Sequence, residues 1–280
     1  MLFFIICILV ILIYSYTFPF LTTERLPHLL TPYSTYKGIP LIIHRTYSYR
    51  YINRRMFYNC HQKWVDINPG YQIIWFNNKR VSVMKEFGPT IMDAYQKLKP
   101  IAFKTDLWRL CVLYKYGGIY VDAYAVPYIS MNRVIDNSRL KEKDKFISVL
   151  DCPQSGGYIH NGFIIVTPRH PFIMQCIQDI IHNVKTLNYT NHVLGVTGPK
   201  CLELSIRKVI QSQKKFTVGY NKFNFSFYLL RFIWGPSQYI KDKDVIVLSK
   251  KYNIFHYIYN KVIRKKSSYS YMWKNNDIYA

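Results

Sequence analysis

The stretch KTDLWRLCVLYKYGGIYVDAY, Lys104 to Tyr124, decides how this chain folds. Leu107, Leu110, Cys111 and Tyr114 recur at helical spacing, so Ile101 to Tyr116 reads as a helix that packs one face against a sheet. Gly117-Gly118 breaks it, and Ile119 to Asp122 reads as a short apolar strand. Asp106 and Arg109, three apart, share a helix face. The strand carries Asp122 to its C-terminal end, where ligands bind in open α/β sheets. The helix face and Asp122 can therefore converge on one ligand. A carboxylate in that position accepts from ribose or sugar hydroxyls, or helps hold Mg²⁺ or Mn²⁺ against a diphosphate. Taken singly, the same residues read as a surface ion pair and a strand-end turn.

Outward from this segment, strands and helices alternate. Strands are expected at Ile39 to His44, Tyr71 to Phe76, Phe146 to Leu150, Gly162 to Val166 and Val245 to Ser249. Helices are expected at Cys60 to Ile67, Lys79 to Phe87, Thr90 to Leu98, Pro171 to Val184 and Pro199 to Gln211. This alternation predicts an α/β domain with a mostly parallel sheet. The apolar run Phe223 to Trp234 reads as core, with Arg231 reaching out of it.

Composition narrows the class. The chain has 280 residues, 38 Lys and Arg against 15 Asp and Glu, a net charge of +23, and 17% aromatic residues. So aromatic a chain is not a disordered one. The charge points to an anionic partner. Single-stranded nucleic acid would suit basic residues interleaved with aromatics, but there is no RRM, KH or zinc-finger signature, so no nucleic-acid partner is expected. Also missing are the P-loop, the G-x-G-x-x-G loop, H-E-x-x-H, C-x-x-C and G-x-S-x-G. The six cysteines have no metal spacing and read as scattered core thiols. His44, His61, His160 and His256 each read as structural residues, with only His160 gaining interest from its neighbour Asn161.

Residues 1–22 carry no charged side chain and are long enough to cross a bilayer. Without a basic start or small residues before a cleavage point, they read as an uncleaved anchor rather than a signal peptide. Residues 23–38 read as a stem and 39–280 as one domain. Arg25, Lys37 and Arg45 after the span favour a cytosolic body. The sequons at Asn188 and Asn224 argue for a lumen. The basic run Lys261 to Lys266 reads as a solvated face.

The decisive segment resembles the DxD-containing sugar-binding region of glycosyltransferases related to the fungal initiating α-1,6-mannosyltransferase, and more distantly the glucosylating clostridial toxins. The matching residues are Asp106, Arg109, Tyr116-Gly117-Gly118-Ile119-Tyr120 and Asp122. Further blocks occur in the family's order: Ile39-Pro40 through Ile43-His44-Arg45-Thr46, Trp64 with Asn68-Pro69-Gly70-Tyr71 and Trp75, His160-Asn161-Gly162-Phe163, Thr197-Gly198-Pro199, and Tyr271-Met272-Trp273-Lys274.

This resemblance implies an α/β, Rossmann-like GT-A fold behind an N-terminal transmembrane helix. It implies retaining transfer of a hexose from a nucleotide-diphosphate sugar to a glycan, glycolipid or glycoprotein acceptor, in a single-pass protein of the Golgi or ER type. Asp106, Arg109 and Asp122 would be the catalytic set. Ile43, His44, Thr46, Asp106, Arg109, Tyr120, Asp122, Asn161 and Trp273 would bind the donor. Trp273 would donate its indole N–H to the leaving diphosphate, and Asp122 would ligate Mn²⁺ or Mg²⁺. One position departs from the pattern. The second DxD aspartate is Tyr124, so the motif reads Asp122-Ala123-Tyr124. That leaves three outcomes: weaker metal binding through Asp122 and water, replacement by Lys or Arg, or a catalytically degenerate protein that binds nucleotide sugars.

Overall fold

The computed structural model describes residues 34–47, 54–77, 81–141, 143–151, 157–233, 238–250 and 268–280. The expected anchor over 1–22, most of the stem and the basic run 261–266 lie outside them. Among the described residues no helix is long and apolar enough to cross a membrane.

Two short strands, β1 (Thr35–Tyr36) and β2 (Ile39–Pro40), form an antiparallel ribbon. The main sheet has ten strands. In chain order they are β3 (Ile42–Tyr47), β4 (Gln72–Asn77), β5 (Gly118–Val121), β6 (Ala125–Pro127), β7 (Phe146–Leu150), β8 (Ile159–Val166), β9 (Gly219–Lys222), β10 (Ser226–Ile233), β11 (Gln238–Asp242) and β12 (Val245–Lys250). Their spatial order is β4-β3-β5-β8-β7-β10-β11-β12-β6, with β9 on β10. The helices among the described residues are α1 (Arg54–Ile67), α2 (Pro89–Lys97), α3 (Ile101–Tyr116), α4 (Met131–Ser138), α5 (Pro171–Lys185), α6 (Pro199–Ile210) and α7 (Tyr269–Lys274). The segment Val81–Phe87 is 3₁₀ rather than α-helical.

The sheet is mixed, which corrects the expectation of a mostly parallel one. Among the described residues only the β3–β4, β3–β5 and β7–β10 pairs run parallel. Parallel neighbours need a long crossover, and α1 supplies it between β3 and β4. The pairs β7–β8, β9–β10 and β11–β12 have short connections, which force them antiparallel. Strand β8 is also antiparallel to β5. Its entry residues, His160 and Asn161, therefore lie at the C-terminal end of β5.

Alternation along the central strands splits the core in two. Tyr120, Ile164 and Leu229 pack with α3, α5 and α6 on one face. Ile119, Ile165 and Leu230 pack on the other with Trp64 of α1 and Met131, Val134 and Ile135 of α4. Strands covered on both faces read as continuous apolar runs. Strand β10, within the run Phe223 to Trp234, is such a case: it is buried except near Arg231, which is exposed, and Trp234 lies outside the described residues.

Helix α3 departs from the expected one-faced helix. Asp106 to Leu113 are all buried, because strands and helices surround it. A helix covered on all sides is apolar all round. An Asp–Arg pair inside it therefore requires partners from other elements.

Two buried histidines set an acid limit on this fold. Burial holds His44 down to about 4, against a hydrogen bond from its Nε2 to the Gly117 carbonyl. Burial holds His170 down to about 3, while its Nδ1 accepts from the Phe172 N–H at the start of α5. The unfolded chain takes up protons below pH ~6.5, and the folded chain refuses them at both sites. Stability is therefore complete above that pH and falls as pH drops toward 4. At ~1.4 kcal/mol per unit, each histidine removes on the order of 3 kcal/mol by pH ~4. Asp106, which burial raises to about 6, runs the other way and offsets part of this loss. Urea midpoints between pH 7 and 4.5 are expected to fall steeply in wild type. They should fall less steeply in His170→Asn, which keeps a helix-capping acceptor.

Candidate active site

The site is built where α3, β5 and β8 meet. Helix α3 ends at Gly117, whose φ is +65°, and Gly118 follows at +91°. These two residues reverse the chain into β5 with no loop between. At the far end of β5, Asp122 donates its N–H to Gly162 O and its carbonyl accepts from Ala125 N–H. Asp122-Ala123-Tyr124-Ala125 is therefore a closed turn held against β8.

The aspartate and arginine of α3 reach the same place from inside the core. Arg109 Nη2 lies 3.0 Å from Asp106 Oδ1, and its Nη1 donates to Asn161 O at 2.6 Å. Nη1 is also 3.9 Å from Asp122 Oδ1, and the guanidinium sits over the Tyr120 ring at 4.4 Å. Asp106 accepts from Asn161 Nδ2 at 3.0 Å and from Thr197 Oγ1 at 2.8 Å. Tyr120 donates its hydroxyl to Asp122 Oδ1 at 3.2 Å and lies 3.1 Å from Thr46 Oγ1. Six of the expected residues thus form one network: Thr46, Asp106, Arg109, Tyr120, Asp122 and Asn161.

Within it the carboxylates differ. Burial raises Asp106 to about 6, with Arg109 and Thr197 opposing. Burial disfavours the Arg109 charge, but Tyr120, Asp106 and Asp122 together outweigh it and raise its pKa. The Asp106 side chain is 12% exposed and that of Asp122 is 28%. Asp122 is the more exposed carboxylate of the two. Asp106 and Arg109 spend most of their hydrogen bonds on fixing Asn161 and Thr197.

Three expected donor contacts are placed elsewhere. Ile43 is wholly buried in the second core, and His44 is buried with its Nε2 on Gly117 O. Both side chains brace the strand rather than face the cluster, because β3 is covered on both sides. The Trp273 indole N–H donates to Tyr189 O at 2.7 Å. The bond expected to a diphosphate is made instead to the protein.

Two residues of the network were not expected from sequence. Thr197 was legible only as a turn residue, although its hydroxyl caps Asp106. Arg45 is fully buried and its Nη2 donates to the carbonyls of Asp122, Ala123 and Ala125. Trp75 and Trp64 flank its guanidinium at 4.4 and 5.4 Å. Arg45 thus holds the turn that carries Asp122. Burial holds it down to about 9.

A divalent ion fits this site only in part. Among the described residues no group of three or more His, Cys, Asp or Glu is placed to hold one. Burial pushes the Tyr124 phenol up to about 12, so it stays protonated at neutral pH and does not replace a carboxylate. Asp122 remains, and its Oδ2 lies 2.8 Å from where a Cβ on Gly162 would be, close over the bare Cα. Such a site is completed by diphosphate oxygens and water, as is common for ions held by one or two protein ligands.

Residues 55–141 match the family model described as the glycosyltransferase sugar-binding region containing DXD motif. The chain is 28% identical over 167 residues to the mannosyl phosphorylinositol ceramide synthase CSH1 of Saccharomyces cerevisiae, covering 58% of this chain and 40% of that protein. It is 28% identical over 158 residues to inositol phosphoceramide mannosyltransferase 1 of Schizosaccharomyces pombe, covering 54% and 44%. The chain thus spans less than half the length of these relatives. Among solved structures, the PaToxG glycosyltransferase superposes with a TM-score of 0.50 at 17% identity, over 62% of this chain and 70% of that one. That similarity shows a shared mixed α/β fold. The resemblance read from Asp106 to Asp122 falls inside the matched region.

Proposed function

We propose that this chain is a glycosyltransferase of GT-A architecture that moves a hexose from a nucleotide-diphosphate sugar to an acceptor, with retention of configuration. The observation that carries the reading is the convergence of Asp122 with Arg109, Asp106, Asn161, Tyr120 and Thr46 at the C-terminal end of β5; Asp106, Arg109, Tyr120 and Asp122 lie inside the region that matches the family model. Asp122 contacts the donor. Arg109 places positive charge beside the leaving diphosphate, where preorganised electrostatics lower the barrier. Asp106 and Thr197 hold Arg109 and Asn161 in register. A divalent ion at Asp122 would supply further charge neutralisation for the diphosphate.

The names of the yeast relatives make a mannose donor and an inositol-phosphate lipid acceptor the first pair to test. An anchor over 1–22, a stem over 23–38 and an endomembrane location complete the proposal. The test is a panel of nucleotide sugars, including GDP-mannose, UDP-glucose and UDP-N-acetylglucosamine. Release of the nucleotide is measured with the full chain, with and without chelator. One donor is expected to turn over and to lose turnover with chelator. Donor binding without turnover would support a degenerate binding protein, and failure to bind any donor would overturn the reading.

A further inference from the structure

The motif Asp122-Ala123-Tyr124 lacks one carboxylate, and the structure places a different donor atom opposite Asp122. A Cβ built on Gly162 would lie 2.7 Å from His160 Nε2 and 2.8 Å from Asp122 Oδ2. Those two atoms therefore both pack over the bare Cα of residue 162, close to one another. Neither atom gets there by accident of a loose chain. Asp122 Oδ1 is taken by the Tyr120 hydroxyl and faces Arg109, which turns Oδ2 toward Gly162. The backbone of Asp122 is tied to Gly162 O. The His160 carbonyl accepts from Ser148, a fully buried residue, and the His160 ring rests on Phe232 at 5.2 Å. Both side chains have further contacts within the fold and are partly exposed to solvent.

We propose that His160 Nε2 takes the place of the missing second carboxylate, so that Asp122 and His160 together ligate the divalent ion against the donor diphosphate. This rests on the transferase reading above. The donor set then has one oxygen and one imidazole nitrogen from protein, with the remainder from phosphate and water. Mg²⁺ favours oxygen donors, whereas later transition ions accept imidazole readily. The site is therefore selective for ions such as Mn²⁺ and Co²⁺ over Mg²⁺, with Co²⁺ above Mn²⁺.

The test reads metal binding, not turnover. Mn²⁺ binding to the full chain is titrated by electron paramagnetic resonance with saturating GDP or UDP. Nucleotide affinity is measured separately in chelator. His160→Ala is expected to raise the Mn²⁺ dissociation constant at least ~10-fold, the range seen when metal-site residues are lost, with nucleotide affinity in chelator changed less than ~2-fold. His160→Asp should restore binding and move preference toward Mg²⁺. Gly162→Ala supplies a variant whose new methyl group meets only side-chain ends, so it should fold and yet weaken Mn²⁺ binding similarly. Mn²⁺ binding unchanged in both His160→Ala and Gly162→Ala would overturn the assignment while leaving the transferase reading intact. A wild-type chain that binds no nucleotide would overturn that reading and this one with it.

Discussion

Asp106→Ala is expected to destabilise the fold by about 3–5 kcal/mol and to abolish measurable turnover. The substitution does not simply delete one hydrogen bond. Arg109 is buried, and Asp106 Oδ1 is its nearest carboxylate oxygen at 3.0 Å. Removing one member of a buried pair leaves an uncompensated charge, which is the costly case. Arg109 cannot escape by losing its proton, since guanidinium stays charged in proteins. Its other carboxylate, Asp122, lies 3.9 Å away and would be drawn inward. That movement takes the most exposed carboxylate of the site out of position. Thr197 and Asn161 also lose their acceptor. Denaturant unfolding and donor turnover measured on the same preparation check both parts. A variant within ~1 kcal/mol of wild type would show that the Arg109 charge is supported by something other than Asp106.

Gly118→Ala is expected to cost about 4 kcal/mol or more, enough to leave little folded chain. Its φ is +91°, and a Cβ there would lie 2.6 Å from Ile42 O, a backbone atom of the neighbouring strand. Backbone in a paired sheet cannot step aside as a side-chain end does. The substitution therefore combines strain with forced separation of β3 from β5. Gly70→Ala is the control. Its φ is +88°, but nothing lies within 4 Å of the added methyl. Only the conformational part remains there, about 1 kcal/mol. Thermal unfolding of the two variants separates strain from collision. Equal shifts would mean that Ile42 yields.

What was legible in the sequence follows from where local signals dominate. Helix α3 was placed at its observed bounds because Leu107, Leu110, Cys111 and Tyr114 recur at helical spacing and Gly117-Gly118 ends it. Strand β7 was placed at its observed bounds as a short β-branched and apolar run. Strand direction was not legible, because it depends on which strands a connection joins, not on the residues within them. Within Phe223 to Trp234, the burial of Phe227 to Leu230 and the exposure of Arg231 were read correctly, while Asn224 is exposed and Trp234 lies outside the described residues. The strand within it was not named, since a continuous apolar run has no period that separates strand from helix. In the site, Asp106, Arg109, Asn161 and Asp122 were found together because their spacing follows a known pattern. Arg45 was read only as a charge after the span and a member of the opening-strand block, because a cation in an apolar strand ordinarily reaches solvent. Here it is enclosed by Trp64 and Trp75 and spends one nitrogen on three carbonyls. His44 was read as a donor contact because the resemblance reports position in a strand, whereas burial on both faces of β3 decides where the ring goes.

The central claim is that Asp122 sits against a nucleotide-sugar donor. Its most direct test compares wild type with Asp122→Asn on whichever donor the chain turns over. Because the Asp122 side chain is partly exposed, the isosteric amide should change stability by less than ~1 kcal/mol. Turnover is predicted to fall by about 10²–10³-fold, the loss expected when a group that organises developing charge is removed. Asp122→Asn turnover equal to wild type, in a folded chain, would contradict the account.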